Sequence, residues 1–373
     1  MNKMLTSYLK LQFLWKTNVT VIAMAAFELK YWELLCYCLI FLIGLIGNLL
    51  VCVVFFSNGP TFRNAPFNVY LMGLATTDLI LAIVCLPIYV MSTSAFDHPT
   101  GAKGTVFCKC VTSYLLPFWL GGASVYILVF ISFERYRAMR YPLKSRTGQS
   151  CHRIWLNIAA SWFIGFVIQL PTVLSLKRIS SGETPNLGNY CVFSWNDETL
   201  KKGIFAAAFA FQYGIPAILF TVNFFRIRQC LGKLDENLKR CFGDDRFKKQ
   251  LMENRKKSVR IVFLCSATFF LCWTPNNIMY FLFQYEGKKD NTSWNTDPYQ
   301  VNIVLGYFNS CMNPILYAFQ SKEFRQNCKK ALKRMFKKPD KTESIHNAIR
   351  NRTVSAKNTL TTKDKKQLLK YAV

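Results

Sequence analysis

From about Trp32 to Phe319, long apolar runs alternate with short basic stretches, and each run suits the ~20 residues that cross a hydrocarbon core. Backbone polar groups cannot lie unpaired in lipid, so these runs read as helices. Seven spans are predicted: Tyr31–Phe56, Ala65–Met91, Thr105–Met139, Cys151–Leu174, Leu200–Cys230, Glu253–Tyr285 and Asp297–Phe319. Beyond them, Phe324, Ala331, Leu332 and Met335 recur at helical spacing among lysines and arginines over Lys322–Phe336. That is the pattern of a basic amphipathic helix lying on an anionic membrane face. From Lys337 onward the chain is polar, rich in Ser and Thr and aperiodic, and it is expected to be disordered. The predicted organisation is an all-α membrane protein. It has an N-terminal segment 1–30, a seven-helix domain 31–320, an amphipathic helix 321–336 and a tail 337–373. There is no internal repeat of the kind that builds an inverted-repeat transporter.

A hydrophobic share of 51% decides little; the placement of charge decides more. About 35 of the 47 Lys and Arg residues fall on one side of the predicted spans, and that asymmetry puts the N-terminal segment outside the cell and the C-terminus in the cytoplasm. Seven spans agree, since an odd number separates the two ends. The net charge of +27 does not point to nucleic acid. A nucleic-acid binder spreads its basic residues over a soluble face, whereas here the aromatics sit inside lipid-length runs. The first thirty residues lack a clean cleavage site, so the first span is expected to be the targeting signal itself. The fourteen cysteines lie mostly within helices, with two or three near the outer face available for a disulfide.

Charge in mid-membrane costs several kcal/mol, so each such residue needs a reason. Asp78 lies mid-span, and Glu134-Arg135 closes the inner end of the third. The bland reading of the latter is an interfacial pair reaching for headgroups; a lone buried carboxylate must be neutral, paired or cation-bound. Asn48, Ser124, Asn309, Ser310 and Asn313 lie at matching depth. Gathered around Asp78, they would suit either a small hard cation or a water-filled hydrogen-bonded cluster. Pro87, Pro171, Pro216, Pro275 and Pro314 fall inside spans, where a missing N–H bends a helix.

Together these residues resemble the rhodopsin-like G-protein-coupled receptors, one motif per helix over Trp32 to Phe336. The matches are Gly47-Asn48; Leu74-Ala75 with Asp78; Glu134-Arg135-Tyr136; Trp162; Pro216; Cys272-Trp273-Thr274-Pro275; Asn313-Pro314-Ile315-Leu316-Tyr317; and Phe324-Arg325. The resemblance implies a plasma-membrane receptor and no prosthetic group. It implies an allosteric sodium site at Asp78, Ser124, Asn309, Ser310 and Asn313. Glu134, Arg135 and Tyr136 would couple to a heterotrimeric G protein. Trp273 would lie beneath the ligand, with Val125, Pro216, Phe269, Pro275, Pro314 and Tyr317 passing its movement inward. It also implies a disulfide between helix three and the second outer loop. Cys110 stands at the family's distance of 25 residues from Arg135, and Cys191 is that loop's one cysteine, so Cys110–Cys191 is expected, with Cys108 the runner-up.

Two departures stand out. Phe224 replaces the family's common tyrosine, and Arg255 stands where an acid would pair with Arg135. That lock is therefore expected to be missing. An amine receptor needs a carboxylate where this chain has Pro117, and an opsin needs a lysine where it has Tyr307. The expected ligand pocket is instead Tyr89, Tyr114, Phe118, Gln212, Asn276, Asn277, Tyr280 and Tyr307, aromatics and amides that suit a peptide. The strings Phe211–Pro216 and Asn309–Pro314 resemble receptors for neuropeptide Y, neuropeptide FF and tachykinins. A small amidated peptide is the expected ligand, and outer acids such as Glu183 and Asp290 either steer it or simply solvate loops. The alternatives are a non-peptide ligand on the same fold, or a transporter. The three histidines sit in loops and form no catalytic set. Asn18 and Asn291 head glycosylation sequons outside, whereas Asn351 lies inside and is expected to stay bare. Cys328 is a palmitoylation candidate on the membrane face, and tail residues such as Ser355 and Thr359 are expected to recruit arrestin once phosphorylated.

Overall fold

The computed structural model describes residues 22–24, 29–93, 96, 99–141, 151–179, 190–193, 195, 197–242, 246–286, 297–320 and 322–336. Its long helices are α1 (Tyr31–Ser57), α2 (Pro66–Met91), α3 (Gly101–Phe107 and Leu115–Arg140), α4 (Cys151–Ser175), α5 (Glu198–Phe209 and Ile215–Phe242), α6 (Arg246–Glu286), α7 (Asp297–Gln320) and α8 (Lys322–Phe336). Two compact units divide the chain, Met1–Phe324 and Arg325–Val373. The sequons at Asn18 and Asn291 and the tail from Lys337 lie outside the described residues.

Among the described residues, six helices are long and apolar enough to cross a membrane: α1 to α6. The seventh span is present as a 24-residue helix but is too polar for that criterion. Asn309, Ser310 and Asn313 are buried along α7, so its polarity faces the bundle and not lipid. The helices also outrun their predicted ends. α5 continues to Phe242 and α6 begins at Arg246, because Lys, Arg, Glu and Gln favour helix even where hydropathy has ended. At the other end of α5, the Asp197 carboxylate accepts from the Thr199 and Leu200 amides at 2.7 and 3.2 Å, an N-cap.

Among the described residues, three short strands depart from a purely helical fold: β1 (Ile22–Met24), β2 (Leu176–Ile179) and β3 (Tyr190–Phe193). They form an antiparallel sheet in the order β1-β3-β2, with Cys191 opposite Met24 and Arg178. This sheet carries a correction: Cys191 bonds Cys108, with a Cα–Cα distance of 5.6 Å, and Cys110 is an exposed free thiol. Counting back from Arg135 presumes an unbroken α-helix. Here Cys108–Thr112 forms a π turn, and Tyr114 takes left-handed backbone angles (φ 51°, ψ 33°) before Leu115 restarts the helix. The wider turn and the break rotate Cys108 toward β3.

Close helix contacts hold the middle of the bundle. A side chain at Gly165 of α4 would place its Cβ 2.7 Å from the Trp119 carbonyl of α3. Trp119 donates its indole N–H to the Trp162 carbonyl at 2.6 Å, and Trp162 donates to the Thr77 hydroxyl at 3.0 Å. α2, α3 and α4 are thereby tied at the level of Asp78.

Candidate functional site

A cavity opens among α3, α4, α5, α6 and α7, and together with its solvent-filled mouth the space comes to about 860 Å³. Six of the eight predicted wall residues line it: Tyr114, Phe118, Gln212, Asn276, Asn277 and Tyr280. Tyr89 and Tyr307 do not. Tyr89 stacks on Tyr37 at 4.3 Å, and Tyr307 stands about a turn deeper than Ile303, 6.0 Å from both Phe118 and Trp273. The wall gains Gln169, Thr172, Tyr299, Gln300 and Ile303. Gln169 was legible as one more amide inside an apolar span, and it donates to the Gln212 side-chain oxygen at 3.2 Å. The amide nitrogen of Asn276 is buried and finds no hydrogen-bond partner among the described residues. Aromatic rings and carboxamides thus converge on a space that can accept and donate hydrogen bonds without a full charge.

Trp273 is part of the cavity lining. It sits between two glycines: a Cβ at Gly121 would lie 2.9 Å from its ring, and one at Gly306 would lie 3.2 Å away. Phe269, one turn along α6, faces it at 6.1 Å. Val125 and Phe269 belong to the same buried cluster, and Pro216 is buried just past a π turn at Ala210–Gly214. That turn disturbs the backbone ladder of α5, and the Tyr126 hydroxyl of α3 donates to the Phe211 carbonyl at 2.6 Å. Pro275 and Pro314 interrupt α6 and α7.

Asp78 is fully buried. One carboxylate oxygen accepts from the Ser124 hydroxyl at 2.9 Å, the other from the Asn313 amide at 2.7 Å. Ser310 turns its hydroxyl to the Tyr307 carbonyl at 2.9 Å, and the Ser310 carbonyl accepts from Asn48 at 3.1 Å. Asn309 and Asn313 each bury an amide oxygen that meets no donor among the described residues. A carboxylate beside such oxygens is a donor set fit for a hard cation.

At the far end of α3, Glu134 is buried and pairs with its neighbour Arg135, whose Nε donates at 2.6 Å. The same guanidinium lies 4.2 Å over the Phe67 ring of α2, and Arg226 stands 5.9 Å from the ring of Tyr136.

Residues 47–317 match the family model for the seven-transmembrane receptors of the rhodopsin family. The chain belongs to that family. The receptor is similar to galanin receptor 2a of Danio rerio, 26% identical over 79% of this chain and 76% of that receptor. It is also similar to the allatostatin-A receptor of Bombyx mori, at 29% over 78% and 76%. A third relative is the neuromedin U receptor homolog nmur-2 of Caenorhabditis elegans, at 28% over 78% and 76%. It is thus a multi-pass membrane receptor of the G-protein-coupled class. Membership of a receptor family, and not any missing catalytic group, sets the enzyme alternative aside. In this receptor Phe224 packs face to face on Phe263 of α6 at 4.7 Å, and Tyr317 is buried with its hydroxyl beside the Cys265 thiol. Among the described residues, the acid that meets Arg135 is Glu134.

Proposed function

We propose that the receptor binds a short extracellular peptide in the cavity above Trp273 and transmits its binding to a heterotrimeric G protein at the Arg135 end. The observation that carries this reading is the lining itself, aromatic rings interleaved with Gln169, Gln212, Asn276, Asn277 and Gln300. Such a wall matches the alternating amides and side chains of a peptide. The relatives, receptors for galanin, allatostatin-A and neuromedin U, point the same way. The asymmetry of basic residues supports a plasma-membrane orientation with the N-terminus outside and the Arg135 end in the cytoplasm. In the same reading, Asp78, Ser124, Asn309, Ser310 and Asn313 hold a sodium ion that favours the resting arrangement. Phosphorylated tail residues recruit arrestin, and Cys328 anchors α8 by palmitoylation.

A library of short amidated peptides applied to cells that express the receptor with a promiscuous G protein tests it. Activators should emerge, and Gln212→Ala and Asn276→Ala should each raise their half-maximal concentration about tenfold with surface expression unchanged, the cost of one lost polar contact in a dry pocket. A receptor silent to peptides that responds to a non-peptide small molecule would replace this reading with the same-fold alternative.

A further inference from the structure

A second open space, about 1050 Å³, lies between α5 and α6 near the Arg135 end. Phe224, Val259 and Phe263 form its apolar floor, and Arg228, Lys256 and Arg260 stand around it with one carboxylate, Asp235. Val259 and Ile227 are buried with Met139 of α3, so the cleft opens on the outward side of the helix pair. Phe263 is 45% exposed there, and Arg260 and Lys256 lie three and seven residues before it, on the same face of α6. On α5 the order repeats: Phe225 is 59% exposed, and Arg228 lies three residues on, its guanidinium 5.8 Å from the Phe224 ring. An apolar stretch followed within about 10 Å by cations is the profile of a helix passing from acyl chains to headgroups. The ion pairs among the described residues give none of these three cations an acid.

We propose that this cleft is a binding site for an anionic phospholipid. Arg228, Lys256 and Arg260 hold its headgroup phosphate, and an acyl chain runs along Phe263. The cations come from two helices, so a bound headgroup ties α5 to α6. The proposal rests on the orientation argued above only in placing the lipid in the cytoplasmic leaflet. Tags at the two chain ends test orientation separately from anything measured in micelles.

The test is native mass spectrometry of the full-length receptor in neutral detergent, titrated with phosphatidylinositol 4-phosphate or with phosphatidylcholine. The anionic lipid should bind one equivalent in preference to the neutral one. Arg260→Gln should weaken it roughly fivefold, the worth of one cation at a charged surface, and the triple replacement of Arg228, Lys256 and Arg260 by Gln should abolish it. Gly232 lines the same cleft, and a side chain there meets nothing within 4 Å. Gly232→Trp should therefore block the cleft with all three cations present, a variant at no risk of misfolding through lost charge. Equal loss on replacing Arg226, Lys233 and Lys257, which are on the same helices but outside the cleft, would reduce the effect to general surface charge and overturn the proposal. Displacement of the lipid by inorganic phosphate at equal concentration would also overturn it, leaving a simple anion site. So would lipid retention in the Gly232→Trp variant.

Discussion

Single atoms decide much of how this receptor's centre is built. The slot for Trp273 exists because Gly121 and Gly306 present no Cβ to its ring. Gly121→Ala puts a methyl 2.9 Å from that ring, so the indole must tilt or α3 must move away. Overpacking of this kind costs ~1–3 kcal/mol. A lower melting temperature of the purified receptor is expected, together with altered basal nucleotide exchange, and an unchanged melt would show that the slot has slack. Asp78 is held by two donors 46 and 235 residues away in sequence. If a sodium ion shares this site, agonist affinity should fall when an organic cation in the buffer is replaced by sodium, and Asp78→Asn should remove that dependence. Agonist competition curves in both buffers provide the measurement. The costly position of Asp78 was legible in the sequence, because a carboxylate in an apolar run demands compensation. Its partners were not legible from spacing alone, since hydrogen bonds between helices depend on rotation about each helix axis.

At the scale of elements, irregular turns control which side chains face one another. The π turn and left-handed Tyr114 at the head of α3 deliver Cys108, and not Cys110, to Cys191. Cys108→Ser should match Cys191→Ser in losing roughly 2–4 kcal/mol of stability and most surface expression, whereas Cys110→Ser should behave as the parent. Non-reducing peptide mapping gives the direct answer. In α5 the π turn before Pro216 leaves the Phe211 carbonyl to the Tyr126 hydroxyl. Tyr126→Phe deletes that donor and should cost ~1–2 kcal/mol, visible as a lower melting temperature with the fold retained. Neither π turn announces itself in a hydrophobic pattern, because one extra residue in a turn leaves hydropathy unchanged. The helices run past the ends that hydropathy predicts for a related reason. Hydropathy reports where lipid ends, while the Lys- and Glu-rich stretches of α5 and α6 continue as helix into water.

On the scale of the whole molecule, topology carries the remaining prediction. If the N-terminus lies outside, as proposed, an N-terminal tag should be stained on intact cells and a C-terminal tag only after permeabilisation. Peptide-N-glycosidase should shift the mass through Asn18 and Asn291, and Asn351→Gln should leave that shift unaltered. Staining of both tags on intact cells would overturn the seven-span order. The sequence by itself determined the helical bundle, the family and the burial of Asp78. Lipid allows no unpaired backbone and tolerates little charge, so length and polarity there have few solutions. Only the tertiary structure decided that Cys108 makes the disulfide, that Gln169 joins the wall of the cavity among α3 to α7 and that Tyr89 and Tyr307 stand outside it. These outcomes depend on the rotation of one helix against another, set by local breaks and close packing that a single chain's pattern does not record.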